Sequence, residues 1–464
     1  MRAACAAGHP ATAAAGAEIL AAGGSAADAA VAASLASCVA ETVMTGLLGG
    51  AHAIHYEAAT GVAQNLDCFC AVPGLGAERH EPELVQLEVP FGEELVHYAV
   101  GPASCAVPGL AAGLGELWTA HGRLAWQRLV EPALRLARDG VAMPDAHVAC
   151  LVMLEPVMTM HEGARLYAPG GRLLEAGERL EQPGLVTALE SLAEEGAAGA
   201  YTGTIGRSLL ELSRERGGLV TADDLAAYRA RWNEPAHVGW CDRRVVTRGG
   251  LSGVPEVFAR LPRLRGLSSA ERVVTLVHAL DGERGPETHT TNLVTVDRDG
   301  NACVLTSSLG LGSGDWLPGL DLHLNSMLGE VDLLQGPLEP GARMQSMMAP
   351  TLVFAGDGLE LAIGAAGGTR LRTALVTATA GILDEGLEPQ AAIERPRVHP
   401  AGELVNAEPG VDDDGLAALE ARGRPVRRWA APHHYFGGVS AVGRRGAAAD
   451  PRRSGATREA RAAG

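Results

Sequence analysis

The sequence predicts a mixed helix-and-strand protein with a substantial core, built either as one large α/β unit or as two to four domains. Three observations lead there. The chain has 464 residues, 47% hydrophobic and 20% charged, which is enough apolar surface for a packed interior and too little charge for bulk disorder. Alanine-rich stretches carry helix start signals. One Thr/Val-rich stretch reads as a β-hairpin. Aromatic residues make up only 4%, so Ala, Val and Leu must fill the core, while 60 Gly and 26 Pro supply abundant loops.

In chain order, residues 10–41 read as two helices parted at Gly23-Gly24. The second starts at Ser25, an N-cap with Asp28 three residues on, and its alanine faces let another element approach closely. TGLLGGAHAIHYEAATG (45–61) is a glycine turn, a strand and a second turn at Ala59-Thr60-Gly61. Residues 107–140 read as two more helices stopped at Gly140, and Thr221 with Asp224 marks another capped start.

The stretch THTTNLVTVDRDGNACVLTSSLG (288–310) is the most informative. Leu293, Thr295 and Asp297 share one strand face and Val294 and Val296 the other, and Arg298-Asp299-Gly300 is a hairpin turn signal. A two-residue loop would pair Thr291 with Ser308. A three-residue loop with Gly300 left-handed pairs Asp297 with Asn301, and therefore Thr290 with Ser308. The second register is preferred because it sets two hydroxyls face to face at the open end. Beyond residue 440 the Arg/Ala/Gly-rich composition predicts a frayed tail.

Charge and motif content narrow the function classes. With 38 Lys+Arg against 55 Asp+Glu the net charge is −17, and no basic stripe offers a nucleic-acid footprint. The eight cysteines are scattered, only Cys68 and Cys70 being close, which points to free thiols in a reducing compartment. The N-terminus lacks the apolar run of a signal peptide, and Asp28 and Glu41 interrupt the best candidate for a membrane span. A cytoplasmic protein is expected, with no nucleic-acid or membrane partner. HExxH, P-loop and GxSxG motifs are absent. The glycine loop Gly310–Gly314 has no lysine after it, and His399, His433 and His434 lack a carboxylate or Cys at ligand spacing, so no metal or cofactor is expected.

A threonine at a strand start is ordinary packing in most chains. It turns into a nucleophile when the peptide bond before it is cut, because the freed α-amine, with a pKa near ~7.7–8.0, takes the proton of its own hydroxyl.

Here the chain resembles the gamma-glutamyltransferase (gamma-glutamyltranspeptidase) family of N-terminal-nucleophile hydrolases, almost end to end. HPATAAAGAEILAAGGSAADAAVAA (9–33), TGLLGG (45–50), AVPGLAAGLGEL (106–117), GRLAWQRLVEPALRLARDG (122–140), PGLVTALESLAEEGAAGAYTG (183–203) and GGLVTADDLAAY (217–228) resemble the first part of that family. TTNLVTVDRDGNACVLTSSLG (290–310), LHLNSMLGE (322–330), APT (349–351), GAAGGTR (364–370) and RPRVH (395–399) resemble its small subunit, and ADPRRSG (449–455) its last motif, which implies a docked tail.

The resemblance implies a four-layer αββα sandwich and a precursor that cuts itself between His289 and Thr290. The products would be a large segment, 1–289, and a small one, 290–464, which stay associated in one composite domain. Thr290 would be the nucleophile, forming a γ-glutamyl ester from a small-molecule amide such as glutathione, resolved by water or an acceptor amine. Ser308 falls on the hydroxyl beside the nucleophile, and Gly367 and Gly368 on the oxyanion glycines. Glu330 falls on the carboxylate that holds the substrate α-ammonium, Ser346 on a serine for its α-carboxylate, and Asn325 among the substrate contacts.

Departures cluster at the acyl clamp. Phe69 stands where the family's carboxylate-binding arginine lies, Met347 replaces a second serine, Met327 a Gln or Glu, Gly310 an Asn, and Asn292 a His. The stretches 244–288 and Glu330–Arg343 are short for the family. Arg343 and Arg370 are candidates to replace the missing guanidinium. Two other readings follow: an acylase with a less polar acyl group, as in the related cephalosporin acylases, and an unprocessed homologue kept for binding or scaffolding.

Overall fold

The computed structural model describes residues 1–77, 83–91, 94–281, 290–330, 333–336 and 338–460. Thirteen strands form two antiparallel sheets. They are β1 (Ala4–Ala7), β2 (Gly50–Glu57), β3 (Val62–Cys68), β4 (Arg231–Asn233), β5 (Ala236–Trp240), β6 (Arg243–Thr247), β7 (Thr291–Val296), β8 (Ala302–Ser308), β9 (Thr351–Ala355), β10 (Gly358–Ala366), β11 (Gly438–Gly443), β12 (Gly446–Ala449) and β13 (Ala456–Glu459). One sheet runs β13-β1-β7-β8-β2-β3-β4 and the other β12-β11-β10-β9-β6-β5.

Alternation along the strands divides the core into layers. Val294, Val296, Ile54 and Val304 from the first sheet meet Val246, Leu352, Phe354 and Val442 from the second in a buried inter-sheet core. The opposite faces carry helices: α1 (Pro10–Ala21), α2 (Ala26–Ala40), α3 (Leu110–His121) and α4 (Trp126–Asp139) belong to the first sheet's outer layer. On the second sheet lie α5 (Val254–Arg260), α6 (Ser269–Leu280) and α7 (Arg370–Leu383). This is the four-layer αββα sandwich implied by the resemblance.

Small side chains make the first layer work. Every residue of α2 is buried, and α1 lies so close to β1 that a Cβ on Gly16 would stand 2.6 Å from the Cys5 sulfur. The Ser25–Asp28 capping box is present, and Ser25 also donates to the His121 carbonyl at 2.8 Å. Ser25→Ala should therefore lower stability by about 1 kcal/mol, read as a fall in Tm with the activity of the folded protein unchanged.

The hairpin takes the three-residue register. Asp297 N–H donates to the Asn301 carbonyl at 3.0 Å, Gly300 has φ +86, and Thr291 pairs with Ser307. The Asp297 carboxylate fixes this turn to α2, accepting from the backbone N–H groups of Ala26, Asp299 and Asn301 and from the Asn301 amide. Extended by one residue, the register sets Thr290 opposite Ser308.

Composition misjudged the tail. β11 and β12 join the second sheet, a tight turn follows at Pro451–Arg453, and β13 pairs antiparallel with β1, Ala7 opposite Ala456. Residues 461–464 lie outside the described residues. So do His289 and the 289/290 bond. None of the described helices is long and apolar enough to cross a membrane.

Candidate active site

Thr290 immediately precedes β7, at the end of the first sheet, and is 2% exposed. The second sheet reaches it through β10, which runs into Gly367-Gly368 and then α7. Arg370 N–H bonds the Gly367 carbonyl and Leu371 N–H that of Gly368, so the glycines form the lead-in to the helix. Both glycines precede the N-terminus of α7, the positive end of its dipole, and the first N–H groups there have no partner within the helix. Gly367 N–H donates to Thr290 Oγ1 at 2.8 Å. A strand end from each sheet thus supplies one half of a hydroxyl–donor pair.

Only glycine suits this turn. Gly367 has φ +125 and Gly368 φ +57, and a Cβ on Gly367 would stand 2.9 Å from Gly437 Cα. Arg453 closes the other side. Its Nη1 donates to the Thr290 carbonyl at 3.1 Å and its Nη2 to the His434 carbonyl at 3.3 Å. Burial, the largest influence, lowers this guanidinium to about 10, which leaves it charged at neutral pH.

Of the other residues singled out from sequence, Ser308, Gly368 and Ser346 line one cleft with Thr290. The Ser308 hydroxyl accepts from Gly310 N–H at 2.9 Å, and the Ser346 hydroxyl from Met348 N–H at 3.2 Å. Glu330 is buried beside the Gly310 turn, where a Cβ on Gly310 would lie 2.5 Å from its Oε1, and it is not among the residues lining the cleft. Asn325 is not among the residues lining the cleft. It is fully buried, donates to the Leu48 and Ala106 carbonyls at 2.8 and 2.9 Å and accepts from Ala106 and Met327 N–H. Its amide ties the loops at Leu48, Ala106 and Met327 together. Asn292 likewise ties the sheets, accepting from Thr306 Oγ1 at 2.8 Å and, at its carbonyl, from Ser440 Oγ at 3.1 Å.

The rest of the cleft is apolar: Phe69, Met327, Leu333, Met347, Met348 and Leu371. Neither candidate arginine supplies the missing charge. Arg343 donates to the Phe69 and Arg229 carbonyls, both at 2.6 Å, and lies over the Tyr228 ring. Arg370 is fully buried, donating to the Tyr435 carbonyl at 3.0 Å with its guanidinium over that residue's ring. A third, Arg248, donates to the Ser346 carbonyl at 2.7 Å.

Two residues near Thr290 were not singled out from sequence, Arg453 and Glu41. Arg453 belongs to the ADPRRSG motif but had no assigned role. Glu41 caps the C-terminal end of α2, accepting from Thr12 Oγ1 at 2.6 Å and from Thr291 Oγ1. An acidic group at a helix C-terminus opposes the dipole, and that misplacement was the available signal.

The comparisons with known proteins agree with this architecture. The family model described as gamma-glutamyltranspeptidase matches residues 12–280 and 263–460. An acylase ACY 1 proenzyme from Pseudomonas sp. (strain SE83) is 27% identical over 499 residues, covering 94% of this chain and 88% of that protein. Glutathione hydrolase proenzyme 1 from Schizosaccharomyces pombe is 27% identical over 492 residues, covering 89% of this chain and 76% of its own. Among solved structures, cephalosporin acylase from Bacillus halodurans superposes with a TM-score of 0.83 at 23% identity, over 98% of this chain and 95% of that one, a likeness of fold. With a family model that matches nearly the whole chain, the chain belongs to the gamma-glutamyltranspeptidase family of enzymes.

Proposed function

We propose that this protein is a gamma-glutamyltransferase-type amidohydrolase that matures by cleavage before Thr290 and works through a threonyl ester. The observation that carries this reading is the 2.8 Å contact between Gly367 N–H and Thr290 Oγ1. After cleavage, the Thr290 α-amine takes the hydroxyl proton as Oγ1 attacks the amide carbonyl of the donor. The N–H groups of Gly367 and Gly368 hold the developing oxyanion. The amine returns the proton to the leaving nitrogen, which departs and leaves the acyl group on Oγ1. Water or an acceptor amine then attacks the ester along the reverse path. Ser308, opposite Thr290, orients the nucleophile.

Mass spectrometry of the purified protein tests the first step: two polypeptides divided at 289/290 support it, and a single 47.8 kDa chain favours an unprocessed binding homologue. Glutathione and a γ-glutamyl anilide test the donor.

The apolar cleft supports a second reading, an acyl group less polar than γ-glutamyl. Each charge-assisted bond lost from the clamp costs ~1.5–3 kcal/mol, and Phe69, Met327 and Met347 replace three polar contacts with apolar surface. Under this reading a butyryl anilide, which has neither α-ammonium nor α-carboxylate, is turned over with a higher kcat/KM than the γ-glutamyl anilide. The opposite ranking returns the donor to γ-glutamyl.

A further inference from the structure

Thr290 also lines a second space, with Thr291, Glu41, His147, Asn292 and Arg453 among its walls. Its room, about 10 Å³, suits a single water or ammonium. Glu41 lines this space with one carboxylate oxygen held by Thr12 and the other by Thr291, the neighbour of Thr290. Gly8 makes the approach feasible, since a Cβ there would stand 2.5 Å from Glu41 Oε2 and 2.8 Å from Thr291 Oγ1. Resting on the reading of Thr290 as an N-terminal nucleophile, we propose that Glu41 is a positioning residue for the Thr290 α-amine. It acts through Thr291 Oγ1 and one water in this space, and it sets the proton affinity of the amine.

The electrostatic surroundings leave few competitors. From β1, Cys5 faces Glu41, and from its own helix Cys38 does; burial pushes both thiols up to about 12, so they are neutral. His147, from the helix over Asp145–Met153, is pulled down to about 3, by burial first, and is neutral too. From the turn after β12, Asp450 is committed to Arg397 at 2.5 Å and Arg452 at 3.2 Å. α1 and β7 contribute no charge against Glu41, only the hydroxyls of Thr12 and Thr291 as its donors, with Asn292 beside them on the wall. Among the described residues, the charged groups that line this space are Arg453, which opposes protonation of a new amine, and Glu41 and Asp450, which favour it, the Asp450 charge being already met by Arg397 and Arg452. Glu41 is itself raised to about 7, chiefly by burial, with the Thr12 and Thr291 hydroxyls and Arg453 pulling the other way. Glu41 and an amine of ordinary pKa ~7.7–8.0 therefore titrate as a coupled pair.

The direction follows from the charge. Only the neutral amine accepts the hydroxyl proton, so kcat/KM rises with pH through the amine's titration. Glu41→Gln keeps a hydrogen-bonding group in place but removes the negative charge, which disfavours the ammonium. Its acid limb should move down by about one pH unit, while a merely structural carboxylate would change the rate equally at all pH values and leave the limb in place. Should Glu41→Gln not fold, Thr291→Val, which breaks the link, is expected to shift the limb in the same direction, and Thr291→Ser, which keeps the hydroxyl, to restore it.

N-terminal sequencing of each protein accompanies the profiles. A cut wild type beginning at Thr290, with an unmoved limb in both Glu41→Gln and Thr291→Val, overturns the role of Glu41 alone. An active wild type that is uncut overturns the nucleophile reading and this proposal with it.

Discussion

Thr290→Ala is expected to yield one 47.8 kDa band where the wild type yields two, and to abolish amide turnover. Both outcomes have one cause. Cleavage needs the hydroxyl to attack the carbonyl before it, exchanging an amide for an ester that water opens, and turnover needs the same oxygen on a substrate carbonyl. The side chain is buried and already within 2.8 Å of a backbone donor, so nothing else is placed to substitute for it. Loss of a nucleophile of this type costs at least ~10⁴-fold in kcat. Removing a hydroxyl and a methyl from the end of a strand leaves the inter-sheet core untouched, so the variant should fold with the wild-type circular-dichroism spectrum. Turnover close to the wild-type rate in Thr290→Ala, or two bands from it, would remove Thr290 from the mechanism.

Gly367→Ala should cost less, by a different route. The residue sits at φ +125, where a Cβ is strained, and that carbon would fall 2.9 Å from Gly437 Cα and 3.1 Å from Arg453 Nη2. The turn must shift, which carries the N–H away from the reacting oxygen. One misplaced oxyanion donor lowers kcat by ~10²–10³-fold. KM should change little, because the donor acts on charge that develops only in the transition state. Steady-state kinetics on protein shown to be cleaved separates this from a maturation defect, and a change confined to KM would contradict an oxyanion role.

Much of this was legible in the chain, for local reasons. Ser25 with Asp28 and Thr221 with Asp224 start helices as their spacing says, because a capping box needs only neighbours. Gly300 fixed the hairpin register, and through it the pairing of Thr290 with Ser308, because turn geometry propagates along a ladder. What escaped depends on contacts across the whole chain. The tail was misjudged because β13 gains its order from β1, at the opposite terminus. Asn325 sits in a motif shared with substrate-binding loops, but its amide is saturated by Leu48 and Ala106, far away in sequence. The arginines are further examples: only the fold reveals that Arg343 is consumed by the Phe69 carbonyl.

The strand order β13-β1-β7-β8-β2 puts pieces from both sides of residue 290 next to one another, and β11-β10-β9-β6 does the same in the partner sheet. A nick there produces an intertwined heterodimer whose halves each lack neighbours they need to bury their apolar faces. Dilution alone should not release them. Heat or denaturant should dismantle both polypeptides in one transition, at a midpoint that climbs with protein concentration, as the law of mass action requires of two chains that fold only together.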